Sequence, residues 1–156
     1  MTKKHKRPKV CESPPAKKEP KAKSADLDRQ EIEKIAWRFS IVDLYGPWGW
    51  KSKAGKDWWS KIFPKLKDLE SMTWAAIMDA SGGKSRGHGN NSHFVPVSKL
   101  AKQAKERLKE IGQEDLSDLF SLRLDGKTRI YGIRDGRALK LLWYDPSHTV
   151  CQVTNK

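Results

Sequence analysis

Cysteine is scarce in this sequence: Cys11 and Cys151 are the two thiols among 156 residues. Two thiols so far apart make neither a disulfide framework nor a zinc-binding set, and a reducing, cytoplasmic setting suits them best. Long apolar runs are also lacking. No stretch approaches the roughly 18 apolar residues of a membrane-crossing helix. The N-terminal charges are not followed by the apolar core of a secretory signal, so none is expected. The hydrophobic fraction of 37% is low, and part of the shortfall sits in one segment. Acidic residues are the remaining shortage: 19 Asp and Glu stand against 32 Lys and Arg, a formal charge of +13. Charge of that size bears on association rather than on fold. It favours an anionic partner, nucleic acid first, and no membrane.

What is present divides in two. Residues 1–24 hold nine Lys or Arg against Glu12 and Glu19, with Pro8, Pro14, Pro15 and Pro20 and no aromatic residue. Such a segment buries too little apolar area to offset its ordering entropy, which predicts a disordered basic tail. It serves either as a solubilising tail or as an arm that releases counterions from phosphates. Residues 25–156 read as a single small α+β domain. Asp26 or Asp28 can cap a short helix through Ile32 and Ile35. Alternation over residues 36–44 predicts a strand with Trp37, Phe39 and Ile41 on one face. Gly46-Pro47-Trp48-Gly49-Trp50 reads as a turn and residues 51–56 as a basic loop. Asp57 can cap a helix carrying Trp58, Ile62, Leu66 and Leu69. Pro64 either kinks that helix or marks a start near Phe63. Ser71 or Thr73 caps a second helix, and Ser98 a third that Gly112 ends. Between them, residues 81–92 form a polar, Gly-rich loop. Gly82-Gly83-Lys84-Ser85 is no Walker-type phosphate loop, because it follows a helix and Met78 occupies the place of the upstream glycine.

The last third is β. Residues 119–124, 128–134 and 138–144 alternate as strands, separated by Asp125-Gly126 and Asp135-Gly136, strong hairpin signals. Ser121, Arg123 and Asp125 share one face of the first strand, and Arg129, Tyr131 and Ile133 one face of the second. A tight hairpin therefore brings Arg123 near Arg129, with Lys127 at the tip. Cations on a rigid sheet suit phosphate binding and the extra charge of a pentacoordinate phosphoryl transition state. They equally suit a solvated face with Asp125 and Asp135 as partners. His148, after the third strand, titrates near neutrality and is a candidate acid or base. His88 and His93 lack zinc-ligand spacing, and no metal or other cofactor is expected. Of seven tryptophans, Trp37, Trp58, Trp74 and Trp143 suit the core, while Trp48, Trp50 and Trp59 suit core or base stacking.

The stretch Ser121-Leu-Arg-Leu-Asp-Gly-Lys-Thr-Arg129-Ile-Tyr131, with the ending Leu141-Leu-Trp-Tyr-Asp-Pro-Ser-His148, resembles the RelE/YoeB-like toxins of bacterial toxin–antitoxin systems. The likeness covers about 30 of the 156 residues. Together with Trp37-Arg38-Phe39-Ser40 and the Gly-Pro-Trp-Gly-Trp turn, these residues also resemble an uncharacterised bacterial and phage family. The toxin resemblance implies helices and an N-terminal strand packed on a C-terminal antiparallel meander. It implies a metal-independent endoribonuclease that cleaves mRNA, often on the ribosome, by attack of a 2′-hydroxyl on the adjacent phosphate, and an antitoxin partner. By position, Arg129 matches the transition-state arginine, and His148 or Tyr144 the terminal acid or base. Arg123, Lys127 and Tyr131 then fall to substrate binding. The family's second acid/base group has no clear counterpart, and Asp145-Pro146-Ser147 lengthens the approach to His148. Charge and tryptophan content support a different function, a nucleic-acid-binding protein without catalysis; a scaffold or interaction protein is a third.

Overall fold

A computed structural model describes residue 29 and residues 31–80 and 92–151. The basic tail of residues 1–24, its candidate caps Asp26 and Asp28, and the Gly-rich loop up to residue 91 lie outside the described residues. Five strands form one mixed sheet: β1 (Ala36–Arg38), β2 (His93–Pro96), β3 (Asp118–Arg123), β4 (Arg129–Asp135) and β5 (Ala138–Asp145), in the order β1-β5-β4-β3-β2. The last three are the expected antiparallel meander. β2 adds antiparallel to β3 at one edge, and β1 adds parallel to β5 at the other. The N-terminal strand thus makes the sheet mixed rather than purely antiparallel.

The sheet is covered on both faces. On the first face, Phe120, Leu122, Ile130, Leu139, Leu141 and Tyr144 meet a helical segment running from residue 50 to 69, together with Trp74 and Ile77. On the second face, Leu119, Tyr131 and Trp143 meet Trp48, Leu100, Ala104 and Leu108. The segment on the first face contains two π-helical turns, Trp50–Ala54 and Trp58–Ile62, and two α-helical pieces, α1 (Gly55–Asp57) and α2 (Phe63–Leu69). It is followed by α3 (Trp74–Asp79), and α4 (Lys102–Glu110) packs on the second face.

Several local expectations hold for the reasons given. Thr73 caps α3, its hydroxyl accepting from the Ala76 N–H at 3.1 Å. Pro64 sits in the first turn of α2, directly after the π-helical turn Trp58–Ile62, where the regular α-helical pattern is broken. Gly112, at φ 70°, ends α4: its N–H donates to Lys109 and the Gln113 N–H to Leu108, the paired bonds of a Schellman cap.

Others are corrected. The strand predicted over residues 36–44 stops at Arg38. The chain then turns (Val42 N–H to the Phe39 carbonyl) and docks by the Asp43 N–H on the Leu142 carbonyl. Asp57 caps no helix, because helical structure begins seven residues earlier and the Tyr144 hydroxyl donates to its carboxylate at 2.8 Å. Ser98 lies in a 3-10 turn, Val97–Lys99, and Ala101 precedes α4. Helix formation is delayed because the Ala101 N–H donates to the Val150 carbonyl, tying the chain to the C-terminal segment. In the turn between β4 and β5 the two loop residues are Gly136 and Arg137. Gly136 has φ 60°, as the first position of a two-residue hairpin turn of the II′ kind requires.

One irregularity sets the site. Tyr131 pairs with Trp143 but Gly132 pairs with Leu141, so Leu142 is an extra residue in β5. A side chain at Gly132 would have its Cβ 2.5 Å from the Lys140 carbonyl oxygen, so only glycine fits. The bulge lets Leu142 and Trp143 both serve the second face while Tyr144 serves the first.

Candidate phosphate site at the hairpin end of the sheet

Cross-strand pairing puts the chemistry-bearing residues of three strands on the second face. Arg123 stands directly opposite Arg129, and Arg129 opposite Asp145. Ser121 lies between His93 and Tyr131 on neighbouring strands. Directly paired residues share a face, so His93, Ser121, Arg123, Arg129, Tyr131 and Asp145 form one polar group, with Lys127 exposed at the tip. Like charges directly opposite one another repel, and the surroundings of Arg129 show how the fold tolerates the pair. One guanidinium nitrogen of Arg129 donates to the carbonyls of Asp125, Gly126 and Thr128, each at 3.0 Å. Arg129 is 4% exposed and plugs its own hairpin loop. Burial, and then Arg123 opposite it, push its pKa below the ordinary arginine value. Arg123 keeps partial exposure, and its backbone N–H donates to the Ser92 hydroxyl at 3.0 Å.

Asp145 is fully buried and organises the segment that follows β5. Its carboxylate accepts from the N–H groups of Ser147 (3.2 Å), Thr149 (2.7 Å) and Val150 (2.8 Å) and from the Thr149 hydroxyl. The Trp48 indole N–H in turn donates to the Thr149 hydroxyl oxygen at 2.8 Å. This clamp holds His148 at φ 57°, the one non-glycine residue with positive φ among the described residues. A residue held in the left-handed region at a cost marks an over-determined position and a candidate functional one. The imidazole is within electrostatic reach of Arg129, Asp145 and His93. Burial first, then the Arg129 charge, lower its pKa from the usual 6.5 in spite of Asp145. Near neutrality it is therefore an unprotonated base.

Five of the six predicted site residues, Arg123, Lys127, Arg129, Tyr131 and His148, gather at this end of the sheet. Tyr144 does not. It lies on the first face, packed with Trp50 and bonded to Asp57, and burial with the Asp57 carboxylate raises its pKa. Tyr131 is wholly buried. Its hydroxyl lies beside Ser121 and Cys151 but meets no partner in hydrogen-bond geometry, and burial pushes its pKa upward. Tyr131 is thus a wall of the site rather than a contact for a bound chain. Sequence reasoning missed two members. The spacing of Asp145 and Ser147 is an Asx-turn signal that was open to reading. His93 gave no signal, since only strand pairing brings it to Ser121. No group of His, Cys, Asp and Glu among the described residues is arranged to hold a metal ion, and no helix among them is long and apolar enough to cross a membrane. No protein-family model, curated protein or solved structure matches the chain.

Proposed function

We propose that this protein binds nucleic acid, RNA first, by holding a phosphate of the strand at the hairpin end of the sheet. The opposed Arg123–Arg129 pair supports this most directly. Arg129 is locked into the fold as a fixed buried charge, and Arg123 and Lys127 carry the solvent side. A preorganised cationic end of this kind positions a phosphate without reading a base. The net charge of +13 adds the sequence-independent attraction.

Cleavage is a second reading, favoured by the two histidines. In it, the neutral His148 imidazole takes the 2′-hydroxyl proton and the 2′-oxygen attacks the adjacent phosphorus. His93, across the strands at Ser121, serves as the acid that gives a proton to the departing 5′-oxygen, leaving a 2′,3′-cyclic phosphate. Arg123 rather than the buried Arg129 then meets the developing phosphoryl charge, and Tyr144 has no part. The RelE/YoeB-like fold, the ribosomal mRNA substrate and an antitoxin covering this end belong to the same reading.

Both readings are tested by titrating a labelled single-stranded RNA across a salt series, in chelator, with wild type, Arg123→Ala and His148→Ala. Affinity should fall steeply with salt, and Arg123→Ala should weaken binding across sequences and reduce the log–log salt slope by about one. Absence of binding at low salt, or an unchanged slope in Arg123→Ala, overturns the phosphate site. Intact RNA with the wild type removes cleavage and leaves binding standing.

A further inference from the structure

The helical segment over residues 50–69 combines two features that the sheet's hairpin end lacks. The first is exposed aromatic surface. Trp59 is 74% exposed, Phe39 51% and Phe63 43%. They belong to a continuous set of rings: Phe39 contacts Trp50 and Trp58, Trp58 contacts Trp59 and Phe63, and Trp59 meets Phe63 at 5.4 Å between centroids. Most of these contacts are edge-to-face, which holds the rings rigidly. Beside them lies a cavity of about 470 Å³ walled by Trp37, Phe39, Trp58, Phe63 and Leu66, with Lys67 and Glu70 at its edge. That is within the roughly 300–1,000 Å³ of small-ligand sites. The second feature is an excess of lysine over acid on one exposed surface. Lys51, Lys53, Lys56, Lys61, Lys65 and Lys67 lie in the same segment, all but Lys65 exposed. Of its two acidic residues, Asp57 is taken by the Tyr144 hydroxyl and Lys61. The π-helical turn Trp58–Ile62 carries Trp58 and Trp59; such turns cluster at functional positions.

We infer that this surface is a stacking platform for unpaired bases of a single-stranded nucleic acid, with Trp59 and Phe63 against base faces and the surrounding lysines on the backbone. The inference rests on the nucleic-acid reading above and assigns it a second contact region. Charge complementarity selects the occupant. A two-fold pairing of this patch with a second copy would bring the same lysines face to face, whereas a polyanion with exposed π-faces satisfies rings and charges together. A duplex has its bases stacked internally and gains nothing from the rings.

The test measures binding of oligouridylate and of a duplex of equal length by the full chain, in wild type, Trp59→Ala, Trp59→Phe and Arg123→Ala, alongside sedimentation of each protein. Trp59 is outside both cores, so its variants should melt with the wild type, which confirms that they are folded. Trp59→Ala should weaken oligouridylate binding roughly tenfold, leave duplex binding and the salt slope unchanged, and be rescued largely by Trp59→Phe. Unchanged oligouridylate affinity in Trp59→Ala, while the wild type binds and Arg123→Ala is impaired, overturns the platform and leaves the phosphate site in place. A wild-type dimer that Trp59→Ala dissociates, with RNA affinity unaltered, assigns the surface to a second copy and overturns it as well. A wild type that binds neither nucleic acid at low salt removes both.

Discussion

The hairpin end of the sheet and the helical segment of residues 50–69 are both cationic, but they handle charge in opposite ways. At the hairpin end the charge is built in: Arg129 donates to three carbonyls, Asp145 accepts from the chain that carries His148, and each is buried. On the helical segment the lysines are solvated, and the large exposed groups are Trp59, Phe39 and Phe63. Buried charges are tolerated only where hydrogen bonds replace water. The first region therefore has one geometry and suits one phosphate, while the second can follow a flexible strand.

The largest effect expected from breaking this contrast is at Asp145. Asp145→Ala leaves three buried or part-buried N–H groups without their acceptor, and should lower stability by about 3 kcal/mol or more in urea unfolding. A loss below about 1 kcal/mol would mean that the hairpin end is no more built than the helical surface. Next is the asymmetry of the arginine pair. Arg129→Met should cost about 2 kcal/mol through its lost charge-assisted bonds, more than Arg123→Ala at the half-buried position opposite it. Equal losses at the two positions would abolish the distinction between structural and ligand-facing arginine. The smallest effect is a pH dependence. Because the folded His148 pKa lies below 6.5, the unfolded chain takes up the proton first. Stability should be flat above that pH and decline as pH falls from 6.5 through the folded value. His148→Gln should flatten that limb in pH-dependent unfolding. It should spare the deeper acid loss, which begins below 3.8, where the lowered pKa values of Asp43 and Asp57 apply.

The meander was legible because its signals are local. Asp-Gly pairs, period-two alternation and β-branched or aromatic residues point the same way within 30 residues, and the pairing of Arg123 with Arg129 follows from them. Residues 36–44 have similar alternation, yet only Ala36–Arg38 is strand. Ile41 goes to one core and Trp37 to the other, a split that no single period describes. Trp50 reads as the end of a turn and residues 51–56 as a basic loop, but Trp50 and Ala54 are buried against the first face and draw the chain into helix. Asp43 shows the same limit. It is an unremarked acid in a predicted strand, yet it accepts from Arg107 at 2.8 Å and from the Trp143 indole at 3.0 Å, joining α4 to the sheet.

By itself the sequence determined the charge, the three-stranded meander and the shared face of Arg123, Arg129 and Tyr131, because each is fixed by composition or by the two-residue repeat of a strand. Only the tertiary structure decided that Arg129 is buried and Arg123 partly open, that Tyr144 faces away while His93 faces in, and that Trp59 is left in water. Those outcomes depend on which surface each side chain meets, and the partners lie as many as 87 residues away in the chain, as Asp57 and Tyr144 do.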